Sequence, residues 1–227
     1  MKVVLIGGLT NGKLALDYIL KKKNISVPFI ITHPKNYKIQ SYRYFLKYEK
    51  KTKVIYDIKS EKYIDEFKKT KPDLIIVCGW SWIIPKKIFQ TSRLGVIGFH
   101  PSDLPKDRGR SVLAWQIEEG YKKTALSMFF MNDRIDDGDI IGKYKINISK
   151  NESIKDILKK CDIGTLYLLK KYLHRILSNN IKRIEQNQNL ATYRRLRNNN
   201  NSIINWNDKS INIYNKIRAI SDPYPGA

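Results

Sequence analysis

At 227 residues the chain suits one large domain, or one domain with a small appendage. Its 42% apolar and 11% aromatic content excludes wholesale disorder, and no apolar run nears the roughly 18–20 residues that span a bilayer. The net charge of +22 admits nucleic acid, an anionic surface or anionic substrates as partners. The lysines, however, are scattered along the whole chain among Asn and Ile, a mixture that an A/T-biased genome produces without functional pressure.

Lys2–Ile6 is an apolar run that meets Gly7-Gly8 and then a helical pattern through Leu14, Ala15, Tyr18 and Ile19. This predicts strand, glycine turn and helix, and MKVVLIGG has no signal-peptide cleavage pattern. Val27–Thr32 predicts a second strand and Thr52–Tyr56 a weaker third. Ile64, Phe67 and Lys68 mark a helix ending before Pro72. Leu74–Cys78 is apolar throughout, as in a strand buried on both faces, and Gly95–Phe99 is another short strand. Short buried strands alternating with helices predict an α/β fold, with an open, mostly parallel, twisted sheet and helices on both faces. Ser111–Gly120 reads as one helix, with Ser111 as its N-cap and Gly120 just past its end. Thr124–Met131 and Ile140–Ile148 read as strands, the second with clean alternation. Ser153 caps a long helix whose stripe runs Ile154, Ile157, Leu158, Cys161, Thr165, Leu168, Leu169, Tyr172 and Leu173. Asn198–Asn201 predicts a mobile polar loop, and Ile211–Ile220 a last short helix. Cys78 and Cys161 fall on apolar positions, so buried reduced thiols of a cytoplasmic protein are expected. The chain ends in the turn residues Pro223–Ala227, and the expected organisation is a main domain over 1–180 and a short, truncated C-terminal extension over 181–227.

Three loops carry candidate chemistry. Gly98-Phe99-His100-Pro101-Ser102-Asp103-Leu104-Pro105-Lys106-Asp107-Arg108-Gly109 follows a predicted strand, and in open α/β sheets ligands bind beyond the carboxyl ends of strands. His100 there can take or give a proton at neutral pH, or it can simply bond to its own loop. The second loop, Asp133–Ile141, holds the carboxylates Asp133, Asp136, Asp137 and Asp139. Such a group binds a metal, orients a histidine or forms a solvated turn. The spacing is not that of a calcium loop, and no metal is expected. The third, Gly79-Trp80-Ser81-Trp82-Ile83-Ile84-Pro85, places tryptophans at a strand's carboxyl end, suited to a planar heterocycle or to ordinary packing. Gly7-Gly8 with Gly12 is a tight turn or a phosphate contact, and is neither the full dinucleotide fingerprint nor a P-loop.

Together the loops resemble the formyltransferase family that uses 10-formyltetrahydrofolate. Its hallmark is a strand ending in N-x-H-(P/A)-S-x-L-P-x-x-R-G, followed by a D-x-G loop. His100, Pro101, Ser102, Leu104, Pro105, Arg108 and Gly109 match the first, and Asp136 and Gly138 the second. Trp80–Pro85 looks like the family's folate loop. Ala191-Thr192-Tyr193, Ile204-Asn205-Trp206 and Ile217-Arg218-Ala219 resemble the tail shared by methionyl-tRNA and sugar N-formyltransferases. The resemblance covers nearly the whole chain. It implies a Rossmann-like formyltransferase fold and direct formyl transfer from 10-formyltetrahydrofolate to an amine, without a metal. It implies His100 and Asp136 as catalytic residues. Trp80, Ser81, Trp82, Ile83, Ile135 and Asp139 are implied at the folate, and Gly8, Ser102, Lys106, Arg108 and Gly109 at the acceptor. The family's triad is Asn, His and Asp, and the Asn position falls on Gly98. That Asn is held to donate to the developing oxyanion, and losing one such donor costs about two to three orders of magnitude in rate. We read Gly98 as variation rather than loss.

Three acceptors compete. Initiator methionyl-tRNA suits the basic charge, but such enzymes carry a further domain after the tail, where this chain ends. Glycinamide ribonucleotide enzymes resemble this chain less, having a different N-terminal loop and no such tail. The expected acceptor is a nucleotide-linked amino sugar of the dTDP-4-amino-4,6-dideoxy kind, used in surface polysaccharides such as lipopolysaccharide O-antigen. The expected enzyme is cytoplasmic, off the membrane and able to pair as a homodimer. Nucleic acid stays as the alternative partner, either as a tRNA substrate or as RNA bound by a catalytically impaired, regulatory relative.

Overall fold

A computed structural model describes residues 1–35, 45–50, 52–56 and 61–227. The main sheet begins with the parallel strands β1 (Val3–Gly7), β2 (Phe29–Ile31), β3 (Lys53–Ile55), β4 (Leu74–Cys78) and β5 (Val96–His100). Two residues, Arg108–Gly109, form a separate short strand, β6. β7 (Lys123–Phe130) and β8 (Ile140–Asn147) then complete the main sheet antiparallel, in the order β3-β2-β1-β4-β5-β7-β8. β9 (Tyr193–Arg194) leaves the main sheet and pairs in parallel with β6. The order reverses direction between β1 and β4, which makes their carboxyl ends the topological switch point where such sheets bind ligands.

The helices cover both faces, as strands buried at every position require. Val3, Leu5, Leu74 and Ile76 pack with Ala15, Leu16 and Ile19 of α1 (Leu9–Leu20) and with Leu168, Leu169 and Leu173 of α5 (Ile154–Leu177). Val4, Ile6, Ile75 and Val77 point the other way. They pack with Phe67 of α2 (Glu61–Thr70) and Ile88 of α3 (Lys86–Phe89). The remaining helices are α4 (Val112–Glu118) and α6 (Ser210–Ile220). The predicted open, mostly parallel sheet is therefore the observed one. Among the described residues no helix is long and apolar enough to cross a membrane. Cys78 and Cys161 are buried free thiols, and burial pushes the Cys161 thiol up to about 12.

Some local expectations change. Ser111 sits at the N-cap of α4 but in the left-handed region (φ 55°), and its side chain makes no capping bond. Its Oγ instead accepts the Arg197 N–H at 3.2 Å. Asn198–Asn201, expected as a mobile loop, closes into a 3₁₀ turn, where Asn198 and Asn201 accept each other's backbone N–H. β8 alternates only in its second half. Ile140, Ile141 and Gly142 are all buried, because an isolated bridge to Ile184 covers that end of the edge strand. α3 falls in a stretch too short to show a period.

Gly12 locks α1 against β4. A Cβ there would lie 2.7 Å from the Cys78 carbonyl oxygen, a backbone atom that cannot step aside. Replacing an interior helical Gly by Ala normally gains about 1 kcal/mol. Here the sign reverses: Gly12→Ala is expected to cost about 1–3 kcal/mol through overpacking, read as a lower urea midpoint at unchanged m-value.

Candidate active site

β5 delivers His100 to the carboxyl edge of the sheet. Val77 and Gly98 are in register, so Gly79 after β4 and His100 at the end of β5 stand at neighbouring strand ends. The chain then turns tightly, with Ser102 N donating to the His100 carbonyl at 2.9 Å and Ser102 Oγ to the Lys106 carbonyl at 2.7 Å. Ser127 on β7 ties this turn down by donating its hydroxyl to the Ser102 carbonyl at 2.6 Å.

The buried His100 ring meets an acceptor at each nitrogen. Nε2 lies 2.7 Å from the backbone carbonyl of Asp107. A carbonyl can only accept, which assigns the hydrogen to Nε2. Nδ1 lies 3.4 Å from Asp136 Oδ2, and the same carboxylate oxygen accepts the Gly109 N–H at 2.9 Å. The structure thus brings together His100, Asp136 and Gly109.

The other carboxylates of the second loop go elsewhere. Asp137 is buried between Arg108 Nη2 at 3.0 Å and Arg134 Nε at 2.6 Å, and Asp133 pairs with Lys86 at 3.0 Å. Asp139 is half-buried, and its carbonyl accepts the Phe130 N–H at 2.8 Å. Among the described residues no three potential metal ligands converge. The Lys86–Asp133 pair joins the loop of Ile83 to the loop of Ile135, and these two isoleucines stand out into solvent.

Gly98 leaves no vacancy. A Cβ there would lie 2.7 Å from Met131 Sδ and 2.8 Å from Met131 Cγ, so the Met131 side chain takes the volume an asparagine would need. In sequence Met131 is only the last residue of a predicted strand, with no mark of its place beside Gly98.

At the switch point stands an aromatic cluster that includes a residue the sequence reading leaves unassigned, His33. Its ring stacks on Trp80 (4.3 Å, 19°) and meets Trp82 edge-on at 5.3 Å, with Ser81 Oγ 3.4 Å from Nε2. Gly8 permits this, because a Cβ there would come 2.6 Å from His33 Nδ1. The signal for His33 was its place just beyond β2, at the same edge that singled out His100. The buried indole N–H of Trp80 finds no acceptor among the described residues.

Of the residues expected at the acceptor, Lys106 is exposed, while Ser102 and Arg108 are fully buried. Arg108 donates from Nε and Nη2 to Gln186 Oε1, and from Nη1 to Gln188 and Tyr193. Gln186 in turn donates to the carbonyls of Asp136 and Gly138. A cleft of about 240 Å³ opens beside this knot, lined by Met131, Arg134, Asp139 and Arg183 among others. A larger one of about 710 Å³ lies before β4 and β5, lined by Lys68, Asp73 and Arg93 among others, at the end of the sheet away from His100. Neither cleft is lined by His100, Asp136 or the aromatic cluster, and we place the chemistry at the carboxyl edge that carries those residues.

Residues 1–163 match the family model described as Formyl transferase, and residues 197–227 the one described as Formyl transferase, C-terminal domain. The chain belongs to the formyltransferase family. It is 33% identical to the bifunctional polymyxin resistance protein ArnA of Wigglesworthia glossinidia brevipalpis, over 100% of this chain and 36% of that protein. It is 31% identical to the methionyl-tRNA formyltransferase of Bacillus velezensis, over 75% of this chain and 53% of that one. The chain thus spans about a third to a half of these relatives. Its fold is similar to a 4-N formyltransferase from Francisella tularensis, with a TM-score of 0.82 at 20% identity, covering 100% of this chain and 90% of that one. It is also similar to an N-formyltransferase from Helicobacter canadensis in complex with folinic acid and dTDP-3-aminofucose, with a TM-score of 0.76 at 21% identity, covering 96% and 80%.

Burial lowers the His33 imidazole from its usual 6.5 to about 4. The unfolded chain therefore takes a proton near pH 6.5 that the folded chain refuses until about pH 4. His33 contributes no pH dependence above about pH 7, and costs stability progressively as pH falls from 6.5 toward 4. At about 1.4 kcal/mol for each pH unit, the loss is on the order of 3 kcal/mol. Urea titrations at pH 4.5 and 7.5 are expected to differ less for His33→Gln than for the parent.

Proposed function

We propose that the chain is a folate-dependent N-formyltransferase acting on a nucleotide-linked amino sugar of the dTDP-4-amino-4,6-dideoxy kind, in the cytoplasm. The observation that carries the reaction class is His100, fixed between the Asp107 carbonyl and Asp136 within the family's motif. In this reading the acceptor amine attacks the formyl carbon of 10-formyltetrahydrofolate. A new C–N bond forms and the carbonyl electrons move to the formyl oxygen. The amine's surplus proton passes by way of Asp136 to Nδ1, making His100 an imidazolium that stabilises the negative oxygen. Collapse breaks the bond from the formyl carbon to the folate N10, which takes the proton back. The Asp107 carbonyl orients the neutral ring through Nε2, and Asp136 holds it at Nδ1 once that nitrogen carries the proton.

The aromatic cluster suits the folate or the nucleotide base, since the unpaired indole N–H of Trp80 offers a buried donor beside a planar stack. The sugar acceptor draws support from the similar fold of the Helicobacter canadensis N-formyltransferase, which is in complex with dTDP-3-aminofucose. A second reading, methionyl-tRNA as acceptor, is favoured by the net charge of +22 and by the methionyl-tRNA formyltransferase relatives.

Formyl transfer from 10-formyltetrahydrofolate is tested on dTDP-, UDP- and GDP-linked amino sugars and on charged initiator tRNA. Turnover is expected on a dTDP-amino sugar, with His100→Ala lowering kcat by at least about a hundredfold. Turnover on tRNA alone selects the second reading. No turnover on any acceptor sinks the proposal.

The Gly98 position yields a separate expectation. Gly98→Asn alone should lower stability and leave the rate unimproved, because Met131 occupies the space. With Met131→Ala added, kcat is expected to exceed that of the parent by about tenfold or more, as an extra oxyanion donor would give.

A further inference from the structure

The contact that assigns the His100 tautomer comes from a residue whose own position is set from far along the chain. Asp107 is buried and left-handed (φ 56°), a region that a non-glycine residue adopts only when its surroundings impose it. Its N–H donates to Thr192 Oγ1 at 2.8 Å, and its Oδ2 accepts from Gln116 Nε2 at 2.8 Å. Its Oδ1 accepts from Arg194 Nε at 2.6 Å. Arg194 is itself anchored to the end of α4 by Glu119, with Nη2 2.6 Å from Oε2. The next residues are held by the same strand: Arg108 N donates to the Thr192 carbonyl at 2.8 Å, and Gly109 lies opposite Arg194 in the β6–β9 pair. Gly109 supplies the N–H that fixes Asp136 Oδ2. Both groups that face the imidazole, the Asp107 carbonyl and the Asp136 carboxylate, are therefore set by a three-residue stretch that β9 grips from outside.

We propose that Arg194 is a positioning residue for His100. It holds the left-handed Asp107 so that the Asp107 carbonyl stays on Nε2, and residues 192–194 thereby work as part of the active site. The importance of this for turnover rests on His100 acting in formyl transfer, as set out above, whereas the geometry itself can be tested without any acceptor. A purely mechanical tie between β9 and α4 is the competing account, and Glu119 separates the two. Glu119→Gln weakens the tie to α4 and leaves the Arg194–Asp107 contact in place.

The experiment is NMR of the intact chain with ¹⁵N-labelled histidine. The three histidines keep the spectrum simple, and His100→Gln assigns the His100 signals. A ring N–H proton at Nε2 of His100 that exchanges slowly is expected in the parent, in Arg194→Lys and in Glu119→Gln. It should be lost or broadened in Arg194→Met, while the His33 signals stay put to show that the fold is intact. Should Arg194→Met unfold the chain, Thr192→Val against Thr192→Ser gives the same comparison through the Asp107 N–H. Retention of the Nε2 proton in a folded Arg194→Met or Thr192→Val overturns the proposal, and so does equal loss in Glu119→Gln. With an accepted substrate in hand, Arg194→Met is expected to lower kcat by about ten- to a hundredfold with KM within about twofold, the mark of misplacement rather than lost binding. Intact NMR behaviour with no turnover on any acceptor would sink the functional reading and leave this one standing.

Discussion

A single backbone carbonyl, that of Asp107, orients the imidazole on which this site depends. It lies 2.7 Å from Nε2 of His100 and so leaves Nδ1 to face Asp136. A left-handed conformation costs a non-glycine residue roughly 1–2 kcal/mol. Against this stand three hydrogen bonds to Asp107, two of them to its carboxylate, and bonds to charged groups contribute about 1.5–3 kcal/mol each. The contacts outweigh the strain, so the carbonyl is held where a relaxed loop would not put it. The imidazole inherits its orientation from that balance.

The main sheet was legible because its information is local. Leu74–Cys78 is apolar throughout, and buried on both faces a strand needs nothing else. His100 was singled out by the strand-end rule and by the motif, whereas Asp136 was singled out by the motif alone. The β6–β9 pair was not. Each strand has two residues, too few for a period, and the partners lie 85 positions apart. Ser111 misled for the same reason: a serine before a helix reads as a cap, yet its hydroxyl is claimed by Arg197 from the far segment. His33 carries no sequence mark of its stacking with Trp80, because that contact exists only once β2 and β4 are laid on either side of β1.

The motif itself divides into two kinds of residue. His100 is buried against Asp136 and the Asp107 carbonyl, and it is the residue on which the proposed reaction turns. Ser102 and Arg108 are fully buried, and their polar atoms are spent on the loop and on Gln186, Gln188 and Tyr193. Removing one partner from a buried ion pair such as Arg108–Asp137 costs about 3–5 kcal/mol. Much of what makes the family recognisable is thus the frame that holds the histidine. A shared frame speaks for a shared reaction and says little about which amine is presented to it.

Gly98 shows how far that frame tolerates change. The side-chain amide expected there is replaced by the thioether of Met131, which fills irregular gaps well and offers no N–H. In the proposed reaction, charge developing on the formyl oxygen then has to be met by other means. A cation formed at His100, nearly excluded from water, acts with much less screening than the same charge in solution. The burden placed on the orientation of that ring is correspondingly greater, because a hydrogen-bond donor that could share it is absent at position 98. A site built this way should depend unusually strongly on whatever holds the imidazole still, and in this chain the hold reaches through Asp107 to β9.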